Sequence, residues 1–140
     1  MSKSITFFVA VALALLVPLA TVYALPPALP AVFYGTVDAG QSLEGATVEA
    51  KVGDVSCGST VVRNDPQLGW VYVLNVIADD PDTPALEGGK QGEAVTFDVR
   101  LADGRVLGVP KASAWYGGAA EERHLRAYRY AVLPLILVSQ

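Results

Sequence analysis

Apolar and polar residues alternate with a period of two along most of this chain. In residues 46–52, Val48, Ala50 and Val52 fall on one face and Thr47, Glu49 and Lys51 on the other, the pattern of a half-buried strand. Val95, Phe97, Val99 and Leu101 repeat it against Thr96, Asp98 and Arg100. Residues 32–37 are β-branched and aromatic. Residues 55–62 put Val55, Cys57 and Val61 in one phase, which predicts a Cys57 thiol inside the core. Residues 70–77 are apolar apart from Asn75, which predicts a central strand covered on both faces. Short strands are expected at 105–109 and 112–116, and 128–138 is strand-like with Pro134 at an edge or bulge. Residues 119–126 read equally well as a helical turn or as part of a strand over 123–130.

Turn residues separate these runs. Gly53-Asp54 and Asp103-Gly104 are hairpin signals, and residues 64–69 and 78–93 are loops. No long stretch carries a 3.6 period. Strand and turn alternating about every ten residues predict an all-β antiparallel sandwich of seven or eight strands.

The pattern breaks at both ends. Residues 1–24 open with Lys3, run apolar from Ile5 to Ala20 and end Thr21-Val22-Tyr23-Ala24. A basic start, an apolar stretch and small residues at −3 and −1 predict a secretory signal peptide cleaved after Ala24. An uncleaved anchor is the alternative, since 20 residues from Ile5 to Ala24 just span a bilayer. Either way the remainder is expected outside the cytoplasm, secreted or in the cell envelope. Residues 25–30 form a Pro-rich, extended linker, residues 31–130 the sandwich, and residues 131–140 an apolar tail or strand.

Composition supports this division. The chain is 52% apolar and 17% charged, with a net charge of −4. Without residues 1–24 the apolar share falls to about 47%, ordinary for a globular domain, and the charge becomes −5. An acidic domain of this kind argues against nucleic acid as a partner. Cys57 is alone, so no intramolecular disulfide forms.

Several short motifs follow one another: Ala31-Val32-Phe33-Tyr34-Gly35-Thr36-Val37, Gly45-Ala46-Thr47-Val48-Glu49-Ala50, Cys57-Gly58-Ser59-Thr60, Asp79-Asp80-Pro81-Asp82-Thr83-Pro84 and Gly92-Glu93-Ala94-Val95-Thr96-Phe97. Their order over residues 31–116 resembles small secreted prokaryotic modules of the carboxypeptidase regulatory-like, transthyretin-like family. That resemblance implies an Ig-like (prealbumin-like) sandwich and a non-catalytic structural or binding role at the cell surface. It carries over no functional residues.

Candidate chemistry is sparse. His124, the one histidine, sits among Glu121, Glu122, Arg123 and Arg126 and reads as a solvated surface residue. Asp79, Asp80, Asp82 and Glu87 put four carboxylates into nine residues, a candidate calcium site; turn chemistry by Asp and Pro is the favoured alternative. Trp115 and Tyr116 are candidates for a ring-stacking, sugar-binding face, set against a place in the core. Arg123, Arg126 and Arg129 form a basic stretch that could touch an anionic polymer or lipid headgroups. Val132, Leu133, Leu135, Ile136 and Leu137 form a candidate strand-addition segment for self-assembly. The expected partners are a cell-surface protein or polysaccharide, with no cofactor beyond calcium. A small hydrolase built on the 79–87 carboxylates is the alternative from another class.

Overall fold

The computed structural model describes residues 28–130. The expected signal peptide at 1–24, most of the expected Pro-rich linker and the expected tail or strand at 131–140 lie outside the described residues. Between them runs an all-β chain of ten strands: β1 (Ala31–Asp38), β2 (Thr47–Val52), β3 (Val55–Val61), β4 (Arg63–Asp65), β5 (Gly69–Val76), β6 (Ala94–Arg100), β7 (Val106–Ala114), β8 (Ala120–Glu122), β9 (Leu125–Arg126) and β10 (Tyr128–Arg129). Two five-stranded sheets result. The first has the order β4-β5-β1-β8 with β9 also on β1; the second has the order β10-β7-β6-β2-β3. All pairings among named strands are antiparallel except those of β1 with β8 and β9.

The period-of-two faces form the core, as expected for two sheets in a β-sandwich. Val48, Ala50, Val52, Val95, Phe97 and Val99 of the second sheet are buried, as are Phe33, Tyr72, Leu74 and Val76 of the first. Phe33 and Phe97 meet across the layers edge to face, centroids 5.2 Å apart. Trp115 closes one end of the core, its indole N–H donating to the Val76 carbonyl at 3.0 Å.

Three features depart from the sequence expectation. β5 is not covered on both faces: Tyr72, Leu74 and Val76 face in while Val73 is 63% exposed. Its neighbour on one side is the three-residue β4, so it lies beside an edge. In β3, Ala50 pairs with Gly58 but Lys51 pairs with Ser56, so Cys57 is the extra residue of a β-bulge. Cys57 stays buried, as its phase predicts, but the bulge reverses the alternation beyond it. Val61 turns out to solvent and Val62 turns in. Finally, the strands expected at 105–109 and 112–116 are one strand, β7, and residues 119–130 form β8, β9 and β10 with no helical turn.

Candidate ligand-binding cleft

β7 carries the feature that shapes the site. Phe97 pairs with Val109 and Val95 with Ser113, so four steps along β7 match two along β6. Pro110 has no N–H to give to a ladder, and the chain at Pro110, Lys111 and Ala112 swings out of the sheet and is exposed. Facing this bulge is the segment that holds β8 and β9. It runs parallel to β1, Tyr34 pairing with Glu122 and Val37 with Leu125. The ladder is interrupted at Arg123 and His124.

Gly35 produces the interruption. Its φ is +149°, and a Cβ there would lie 2.5 Å from the Arg123 carbonyl oxygen, so only glycine permits the approach. The Arg123 amide donates to the Tyr34 carbonyl at 2.6 Å. The Arg123 carbonyl accepts from the Tyr72 hydroxyl at 2.9 Å; burial holds that phenol's pKa well above its ordinary value, so it remains a donor. The His124 ring then stands where a ladder carbonyl would. Its Nδ1 accepts from the Thr36 amide at 3.3 Å and lies 2.9 Å from the Thr36 hydroxyl. An amide can only donate, so Nδ1 is the unprotonated nitrogen in this arrangement.

The Arg123 side chain reaches across to the bulge. Its Nη2 donates to the carbonyls of Lys111 at 2.9 Å and Ala112 at 3.2 Å, while its Nε is buried with no acceptor among the described residues. Ser113 and Glu121 add a second link between the walls, Oγ donating to Oε1 at 3.0 Å. Between the walls lies a cleft of about 580 Å³ lined by Val109, Pro110, Lys111, Glu122, Arg123, His124, Arg126 and Tyr128. That volume falls within the range of small-molecule sites.

The charge in this cleft is unusual for the chain. All 14 acidic residues lie within the described part. Lys51, Lys90, Arg100 and Arg105 are paired with carboxylates. Among the described residues, Lys111, Arg123 and Arg126 have no carboxylate within ion-pair distance. The walls thus present three cations without carboxylate partners among the described residues, one carboxylate (Glu122), an imidazole and an exposed phenol. This is an array of hydrogen-bond donors that suits an anion. It is less suited to proton transfer. Thr36, His124 and Glu122 line up like nucleophile, base and acid, but the Thr36 amide already occupies the Nδ1 lone pair that a base needs. Glu122 is 3.7 Å from Nε2.

The other sequence candidates lie elsewhere. Asp79 points into its own loop: Oδ1 accepts from the Glu87 amide at 2.8 Å and Oδ2 meets the Lys90 ammonium at 3.2 Å. These contacts hold its carboxyl below the usual range, the Glu87 amide contributing most. Asp80 caps a turn by accepting from the Asp82 amide at 2.9 Å. Among the described residues no three Asp, Glu, His or Cys side chains converge as a metal site would require; of the calcium candidates, Asp79 and Asp80 accept from amides of their own loop, and those amides belong to Glu87 and Asp82. Trp115 is 2% exposed and belongs to the core, correcting its place in a sugar-binding face; Gly89 packs so close to its ring that a side chain there would overlap it. Tyr116 is exposed but does not line the cleft. Cys57 is buried, and burial raises its thiol pKa. Val132, Leu133, Leu135, Ile136 and Leu137 fall outside the described residues.

Arg123 and Arg126, two members of the basic stretch, do meet in the cleft. Lys111 and Tyr128 were not singled out by the sequence reading. The available signal was Pro110 within a strand pattern, which marks a bulge and so a change in side-chain direction. No family model, curated protein or solved structure matches the chain.

Proposed function

We propose that the chain is an exported, non-catalytic β-sandwich module with a binding role at the cell surface, and that the cleft between β7 and residues 122–128 is its binding site. One observation carries the reading: three cations without carboxylate partners share one cleft in a chain of net charge −4. The signal-like pattern at 1–24 supports export, and the resemblance to carboxypeptidase regulatory-like modules supports an accessory, Ig-like role. The reading requires no cofactor. Its test is fractionation of cells that express the protein. The mature chain, shortened by 24 residues as judged by mass, is expected in the envelope fraction. A Lys111→Ala/Arg126→Ala variant is expected in the medium. Full-length protein in the cytoplasm would overturn the reading.

A second reading, assembly by strand addition, rests on the apolar run at 131–138, which directly follows the edge strand β10. The β7 edge is a poor acceptor for such a strand, because Pro110 lacks a donor and Arg123 occupies two carbonyls. Light scattering tests it: larger species that become monomeric in Leu133→Asp/Leu135→Asp would favour assembly.

A further inference from the structure

We infer that the cleft binds an acidic oligosaccharide, one whose sugar rings carry carboxylates at intervals, as in a uronic-acid chain. The inference rests on the binding-module reading and specifies its ligand. Lys111, Arg123 and Arg126 supply the positive charge, and guanidinium groups match the planar fork of a carboxylate. The buried Nε of Arg123 has no acceptor among the described residues. Tyr128 is 55% exposed and shares the cleft with Pro110 and Val109, so the same walls offer an aromatic ring and apolar surface to the face of a sugar. Glu122 can accept only from donors such as sugar hydroxyls.

Two facts select a sparsely charged ligand over a dense polyanion. Glu122 places a negative charge among the cations, and the whole chain carries −4. Both repel nucleic acid or a highly sulfated chain more than a sugar with a single carboxylate per ring. Hydroxyl-rich rings with intermittent carboxylates satisfy the cations, the phenol and Glu122 together.

The experiment is titration calorimetry of the purified protein at low salt with oligogalacturonate, a neutral oligogalactose of equal length and a heparin oligosaccharide. Binding of oligogalacturonate is expected with a Kd on the order of 0.1–1 mM, the neutral sugar binding at least tenfold more weakly. Lys111→Ala/Arg126→Ala should weaken the acidic sugar at least tenfold with a melting temperature no lower than the wild type's, since neither side chain makes a hydrogen bond or ion pair among the described residues. Tyr128→Phe should retain binding and Tyr128→Ala lose several-fold, which separates stacking from charge. Equal affinity for the neutral sugar, tighter binding of heparin, or acidic binding indifferent to the double variant would each overturn the inference. So would no binding of oligogalacturonate. Envelope retention of the wild type alongside any of these would leave the binding-module reading standing and locate the failure in the ligand.

Discussion

The two corners of the molecule join the same two sheets by different means. At the first, the chain passes from β3 in one sheet to β4 in the other through the buried residue Val62. Backbone does the joining: the Ile77 amide donates to the Cys57 carbonyl at 3.0 Å, and Gly58 packs so close to Asn75 that a Cβ would overlap its carbonyl oxygen. At the second, residues 120–129 pass from β8 and β9 in the first sheet to β10 in the second. There side chains tie β7 to the crossing segment, through Arg123 to two carbonyls and Ser113 to Glu121. Backbone contact at the first corner leaves a hollow of about 240 Å³ with one cation, Arg63. Side-chain spacers at the second leave about 580 Å³ with three. Long polar side chains hold the walls of the second corner apart, and the space between them is the larger cleft.

The largest test of this contrast is Gly58→Ala. The added methyl meets a backbone oxygen, which cannot rotate away, so the first corner must open. A loss of about 3 kcal/mol is expected, read as a lower denaturant midpoint. A midpoint equal to the wild type would show that backbone contact does not set this corner. Arg123→Met keeps the apolar stem but removes the guanidinium that donates to the Lys111 and Ala112 carbonyls. The cost should be about 1.5 kcal/mol, smaller because water can replace the guanidinium at these exposed carbonyls. If Arg123→Met proved as costly as Gly58→Ala, the second corner would be as tightly joined as the first.

How far the sequence foretold this follows from the same residues. The period of two in residues 46–52 and 95–101 located β2 and β6 and their buried faces, because alternation is dictated by the pleat itself. The turn at Gly53-Asp54 was legible for the same local reason. Both corners escaped. The Cys57 bulge reverses the phase of Val61 and Val62, and the Pro110 bulge fuses two expected strands into one. A bulge depends on which residues of another strand it faces, information that a local pattern does not hold. The cleft was legible in part: Arg123 and Arg126 stood out as a basic stretch, but Lys111 joins them only through the bulge. Trp115 was readable as core or as surface until the Val76 carbonyl supplied its partner.

Acid should separate the corners further. The Asp65 carboxyl, in the β4–β5 turn of the first corner, accepts from the amides of Leu68 and Gln67, which lower its pKa. Asp79 and Asp103 are also lowered, Asp103 chiefly by the Arg105 amide and then its guanidinium. A carboxylate with a depressed pKa in the folded state adds stability above its unfolded pKa and loses it as the pH falls through the folded value. The melting temperature should therefore be steady above about pH 5 and fall below about pH 4. Asp65→Asn should flatten part of that fall. An unchanged slope in Asp65→Asn would remove the first-corner turn as a source of it.

The smallest expected effect is the most informative about function. Lys111→Ala and Arg126→Ala should each change stability by no more than about 0.5 kcal/mol, because neither side chain makes a hydrogen bond or ion pair among the described residues. Arg63→Ala at the first corner should be equally silent. The difference lies in the neighbours: Arg63 stands alone among Thr60, Val61, Val71, Tyr72 and Val73, whereas Lys111 and Arg126 flank Arg123, whose Nε also lacks an acceptor. Like charges brought together repel, so gathering them in an acidic chain costs the fold and returns nothing to it. Removing one should relieve that repulsion slightly. A small rise in melting temperature in Lys111→Ala, larger at low salt and absent in Arg63→Ala, would show that the second corner concentrates charge against the interest of stability. A fall of more than about 1 kcal/mol in Lys111→Ala would instead make the lysine part of the scaffold.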